Sequence, residues 1–275
     1  TLSFGGTVTG IGIGALAMAL GAAGVASSHG DLALAAALLA VWGFLAPVFT
    51  IVSHRMLPFF TASALPFMPA WRPDWLLTVM LCALGLTALA EVGAVLWWPL
   101  PAALHAVLAL LQLPVSAALL WLALRWGLLH SLKVRLLAML HGGFVWLGIA
   151  FALAGTSPAL VAWRAEAASL GLAPLHSLTM GYLGATLIAM ITRVTAGHSG
   201  RPLAADNVVW ALYLVLQAAA VLRVVAAIWP ALPIAVTLVA AAGWAAACAG
   251  WAWRYGGWLG RPRVDTLEGS RHANL

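Results

Sequence analysis

Eight long apolar runs, separated by short polar or proline-containing breaks, divide the chain at 4–26, 32–53, 75–98, 102–124, 134–155, 176–195, 207–228 and 232–255. A helix needs about 20 mostly apolar residues to cross about 30 Å of hydrocarbon, and each run reaches that length. Lipid cannot satisfy free backbone amides, and no run shows the two-residue alternation of a barrel strand, so all eight are expected to be helical. The predicted fold class is all-α: a polytopic membrane helical bundle of about eight transmembrane helices, one domain over 1–275 ending in a tail over 256–275. Pro114 interrupts the fourth run and predicts a kink there. The breaks at 98–101 and 229–231 are short enough to force antiparallel hairpins.

Composition agrees. With 64% apolar and 7% charged residues and a mean hydropathy of +1.03, the chain would expose a surface that water does not tolerate, and it lacks the charge of a disordered chain. The net charge of +6 suggests nucleic acid, but the basic residues lie between apolar runs and form no stripe on a folded face, so no nucleic-acid partner is expected. Counted by side, all but Arg164 and Arg223 of the 13 Lys and Arg fall on the side of the termini. Cytoplasmic loops hold such an excess, which predicts cytoplasmic N- and C-termini. Trp71, Trp75, Trp210, Trp253 and Trp258 would mark the inner interface, and Trp97, Trp98, Trp163 and Trp229 the outer one. The first run lacks the basic n-region of a signal peptide and is too long for an h-region. A first residue of threonine followed at once by apolar sequence suggests that an N-terminal part is missing. Cys82 and Cys248 lie far apart in apolar runs, so any metal chemistry is expected from histidine.

An ionisable side chain inside a membrane helix costs about 2.5–3.5 kcal/mol on insertion scales and calls for a partner or a task. Two layers emerge. Toward the outer face lie Glu91, His105, His176 and Arg223, which read either as a buried Glu91–Arg223 pair with interfacial histidines or as a route for protons or a ligand. Toward the inner face lie His54 and Arg55 at the close of the second span, where Pro58 would fix the exit. His141 sits in the fifth span beside Gly142 and Gly143, and Arg193, His198 and Arg201 close the sixth. A neutral imidazole is the common ligand of haem iron and copper. The absence of Cys-x-x-Cys-His excludes covalent c-type haem. His141 and His176 are each readable as a ligand or as a histidine bonded within the core, whereas His29, His130 and His272 lie in loops or the tail. In the sixth span Thr179, Met180, Tyr182 and Thr186 should face the bundle interior. Gly181, Gly184 and Ala185 would let a neighbouring helix or a flat cofactor approach closely.

The stretches His54-Arg55-Met56-Leu57-Pro58-Phe59-Phe60-Thr61 and His141-Gly-Gly-Phe-Val-Trp146-Leu147 carry a family resemblance. So, most specifically, does His176-Ser-Leu-Thr-Met-Gly followed by Thr192-Arg193-Val-Thr-Ala-Gly-His198-Ser-Gly-Arg201, and so does the tail Arg261-Pro-Arg-Val-Asp265. Together they resemble the NnrS family from about 42 to 265. The resemblance implies a bacterial inner-membrane protein that contains haem and copper and is linked to the nitric oxide response and denitrification. It implies a non-covalent haem b, copper as a second metal, nitric oxide as a ligand and the lipid bilayer as partner. Candidate cofactor-binding residues are His54, Arg55, His141, His176, Arg193, His198 and Arg201, with His141, His176 and His54 as metal ligands. Arg193 and Arg201 would suit haem propionates. Members of the family are usually longer, and their N-terminal part carries a His-Glu motif not found here, as expected of a short or N-terminally incomplete member.

Two further classes compete. A secondary transporter or metal importer would use Glu91, His105 and Arg223 as a relay, but Pro114 has no counterpart in a second half, as repeated transporter folds would show. A haem-handling enzyme resembling haem A synthase would have symmetric histidine pairs, and the histidines at 54, 141, 176 and 198 are not so arranged. A membrane scaffold would bind no cofactor.

Overall fold

The eight runs fold as eight helices, each long and apolar enough to cross a membrane: α1 (Leu2–Ala26), α2 (Gly30–Ala64), α3 (Asp74–Leu96), α4 (Ala102–Arg125), α5 (Arg135–Arg164), α6 (Ala173–His198), α7 (Asn207–Ile228) and α8 (Ile234–Gly256). The computed structural model describes residues 2–97, 99–164, 169–258, 260 and 264, and no strand occurs among them. The tail beyond Gly260, including all of the Arg261–Asp265 motif except Val264, lies outside the described residues, as do Trp98 and His272.

The helices are longer than the apolar runs where polar ends continue the turn. α2 does not stop at the His54-Arg55 pair. It runs on through Pro58 to Ala64, so the expected exit at the proline is corrected. The Pro58 ring removes only the bond to the carbonyl of residue 54. The next turn still closes on itself, and the Thr61 hydroxyl donates to the Leu57 carbonyl (2.8 Å). Pro114 and Pro158 likewise lie inside α4 and α5.

Two segments wind as π-helix, Leu39–Leu45 within α2 and Ser177–Gly184 within α6. The first ends just before Pro47, whose missing N–H already breaks the α-helical ladder. The second carries the polar face of the sixth run. Wide turns of this kind are rare and concentrate at functional sites.

α5 is the central helix: 72% of its apolar window is buried, against 11% for the peripheral α8. It packs along α4 on one side and α6 on the other, and touches α2. α1 lies against α2 and α3, and α8 against α7. Large apolar side chains that a soluble protein would hide face outward, among them Leu89, Leu110 and Leu238. They suit a lipid solvent. Trp163 and Trp253 are about nine-tenths exposed, near span ends where aromatic belts form. α7 and α8 pack as a close hairpin. α3 and α4, although joined by an equally short connection, touch along little of their length and leave a crevice between them.

Candidate functional site

The inner layer is organised around Trp126, the residue that follows α4. Gly127 next to it has a φ of +98°, the left-handed C-terminal stop that glycine adopts without strain. The fully buried Trp126 ring lies edge-on to His54 (centroids 6.0 Å apart) and tilted against Phe144 (5.0 Å). Its indole N–H donates to the Trp71 carbonyl (2.9 Å).

His141 is completely buried. Its Nδ1 lies 3.1 Å from the Leu137 carbonyl and its Nε2 lies 3.2 Å from the Trp126 carbonyl. A neutral imidazole carries one N–H. The Leu137 carbonyl already serves the α5 ladder, while the Trp126 carbonyl receives no backbone N–H among the described residues. We therefore assign the proton to Nε2, which makes His141 the donor that caps the end of α4. His54, also buried, is turned to the Pro73 carbonyl (Nε2 to O, 3.2 Å) and anchors α2 to the start of α3.

The glycines beside these histidines are occupied by protein. A methyl group at Gly142 would strike the Tyr213 hydroxyl, and one at Gly143 the side chain and backbone of Thr186. At Gly181 it would meet the Trp146 ring, and at Gly184 the Trp244 ring. These positions let helices approach closely and leave no slot for a porphyrin face. Of the two occupants the sequence allowed, the neighbouring helix is the one found.

Tyr182, in the π-turn of α6, is fully buried, with its hydroxyl 3.3 Å from Thr50 Oγ1 and 3.0 Å from Ser53 Oγ. It ties α6 to α2. Thr186 is buried beside it, so the polar face of the sixth run does point inward; Thr179 and Met180 lie at its half-buried edge.

The remaining candidates do not gather round one centre. Arg193 stacks on Phe60 (3.8 Å from guanidinium carbon to ring centroid) and Arg201 on Trp258 (4.2 Å), while Arg55 and His198 are exposed. Among the described residues no group of three His, Cys, Asp or Glu side chains converges as a metal site. His176 differs from His54 and His141. Half-buried in the first turn of α6, it has a buried Nε2 without a hydrogen-bond partner, and Arg223 bears on it electrostatically. The outer layer therefore splits: Glu91 and His105 line one small cavity, while the charge of Arg223 acts on His176. The Glu91–Arg223 pair does not form, and among the described residues the ion pair found joins Arg254 to Asp206, the N-cap residue of α7.

Sequence reasoning missed Trp126. The signal was available in Arg125-Trp126-Gly127, a basic residue and a glycine at a helix end, but the partner of the Trp126 carbonyl is set by packing across the bundle.

Compared with known proteins, the family model described as NnrS protein matches residues 1–263. No curated protein and no solved structure matches the chain.

Proposed function

The chain belongs to the NnrS family, and we propose that it serves the nitric oxide response and denitrification-linked metabolism of a bacterial inner membrane. The match over nearly the whole chain carries this reading. Eight apolar helices support a membrane location, and the excess of Lys and Arg on the side of the termini supports cytoplasmic N- and C-termini.

The same reading includes a non-covalent haem b, with copper as a second metal. The donor set divides on this point. His141 does not fit as a ligand in this fold, because both of its ring nitrogens are turned to backbone carbonyls and protein packs against the neighbouring Gly142 and Gly143, and the Nε2 of His54 is engaged with the Pro73 carbonyl. His176 fits, since its buried Nε2 is unpartnered; it would hold the haem, which would supply the capacity to bind a diatomic ligand. The π-turn of α6 presents His176 at its start and anchors its far side through Tyr182. Arg223 adds positive charge next to this donor.

The test is growth of the native bacterium under a nitric oxide donor. Deleting the gene should lengthen the lag, and the wild-type chain should restore growth. His176→Ala should not restore it at equal membrane abundance. An unchanged lag on deletion would contradict the role, and full rescue by His176→Ala would contradict the residue.

A further inference from the structure

The crevice between α3 and α4 contains two adjacent cavities that the proposed role does not use. The larger, about 490 Å³, is apolar and bordered by Val79, Leu86, Leu111 and Val115. The smaller, about 140 Å³, is the more polar of the two, with Glu91, His105, Gln112 and Ser157 at its border. Leu108 and Gln112 line both. An apolar groove beside a small chamber that carries hydrogen-bonding side chains suits an amphiphile with a compact head.

Gln112 shows what that head must offer. Its side chain is 7% exposed, and its amide nitrogen donates to Thr87 Oγ1 (3.1 Å). The Thr87 hydroxyl in turn donates to the Ala83 carbonyl (2.9 Å). That chain of donors fixes the amide orientation, because Thr87 Oγ1 has spent its only proton. Gln112 Oε1 is left buried without a partner, on a side chain that lines both cavities. A buried acceptor without a donor is costly, so the site calls for a ligand that brings an O–H or N–H. Glu91 adds a carboxyl group to the same lining, and His105 sits two turns along α4 from Gln112, about 10 Å of rise.

Charge narrows the choice. Among the described residues neither Lys nor Arg borders either cavity, so a phosphate or an ionised fatty acid would place its negative charge beside Glu91 without a counter-ion from any of them. The chamber is well below the roughly 300–1,000 Å³ of a drug-sized pocket. It has room for one ring, and a tail must lie in the apolar groove. We infer that the α3–α4 crevice is a binding site for a membrane quinol, its dihydroxy ring held among Glu91, His105 and Gln112 and its isoprenoid tail along the groove. A quinol supplies the phenolic O–H that Gln112 Oε1 lacks. The oxidised quinone has only carbonyl acceptors and would face Oε1 acceptor to acceptor.

The test is equilibrium binding of radiolabelled decylubiquinol to the detergent-purified full chain, kept anaerobic and reduced. Saturable binding is expected, with the quinol at least about tenfold tighter than decylubiquinone, the difference expected for about one hydrogen bond. Gln112→Leu should weaken the quinol by about tenfold and leave the quinone unchanged, and Glu91→Gln should weaken the quinol less. The comparison of the two redox forms on the wild-type chain needs no variant to fold. Absence of saturable binding, equal affinity for the two forms, Gln112→Leu binding quinol as well as wild type, or displacement of the quinol by equimolar phospholipid would each overturn the assignment.

Discussion

Replacing His141 with alanine separates a cap from a ligand. The ring is fully buried and its Nε2 closes the Trp126 carbonyl at the end of α4. Losing the bond removes about 1 kcal/mol, and the stranded carbonyl costs about 1–3 kcal/mol more. The void left by an imidazole belongs to the large-to-small class, about 2–5 kcal/mol when the surroundings cannot collapse. Here they are held by Tyr213, whose hydroxyl donates to the Met139 carbonyl (2.8 Å), and by the close contact of Gly143 with Thr186. These contributions overlap, and we expect a net loss of about 3–5 kcal/mol. For a chain of this length that lowers the melting temperature by roughly 6–20 °C. His141→Gln, whose amide nitrogen can reach the position of Nε2, should recover about half of the loss. The assay is a thermal melt in detergent followed by intrinsic tryptophan fluorescence, with cofactor content measured on the same samples. A His141→Ala protein that melts within a degree of wild type but has lost its haem would refute the cap and restore His141 as a ligand. So would a His141→Gln protein no more stable than the alanine variant.

Tyr182→Phe removes the hydroxyl that faces Thr50 and Ser53 and should cost about 1–2 kcal/mol, read as a lower melting temperature; no change would mean that the α2–α6 link carries no stability. Gly143→Ala forces a methyl group against the side chain and backbone of Thr186 and should cost about 1–3 kcal/mol, while Gly85→Ala, where the added atom meets nothing, should be neutral or slightly stabilising in the same melt. Burial alone would raise the Asp206 carboxyl, but hydrogen bonds from the Val209 N–H and Arg254, together with the Arg254 charge, outweigh it and hold the carboxyl below its ordinary value. The stability it adds is therefore present above the unfolded carboxylate pKa of about 3.9 and lost as pH falls through the lower folded value. Melting temperatures measured from pH 6 down to pH 3 should converge for wild type and Asp206→Asn, and a gap that widens on acidification would reverse the sign.

Most of the architecture was legible because a membrane span is a one-dimensional signal. Length and apolar content alone locate α1 to α8, and the same arithmetic explains why Leu89 and Leu110 face outward. Helix ends were less legible. Pro58 reads as a stop, yet α2 continues because one missing N–H does not outweigh the turn that follows it. The site was legible by residue type and not by partner. His54, His141 and His176 look alike in sequence, since each is an imidazole in or at the edge of an apolar run. What distinguishes them is whether a backbone carbonyl of another segment stands opposite: Pro73 for His54, Trp126 for His141 and none for His176. Gly142, Gly143, Gly181 and Gly184 had the same ambiguity, because a bare helix surface admits a cofactor or a neighbour equally well. Tyr213, Thr186, Trp146 and Trp244 resolve it, and their approach depends on crossing angles that no local pattern encodes. Glu91 and His105 could be placed at one depth by counting turns, but the separation of α3 from α4 that gives them a shared cavity could not.

The most direct test of the proposed role is an optical spectrum of the purified chain, oxidised, reduced and after addition of nitric oxide, with a pyridine haemochrome assay on the same sample. Equimolar b-type haem whose Soret band shifts with nitric oxide in the wild type and in Tyr182→Phe, but is missing in His176→Ala, is the predicted result. Haem retained in full by His176→Ala, or a wild-type chain that holds none after growth with haem precursor, would contradict it.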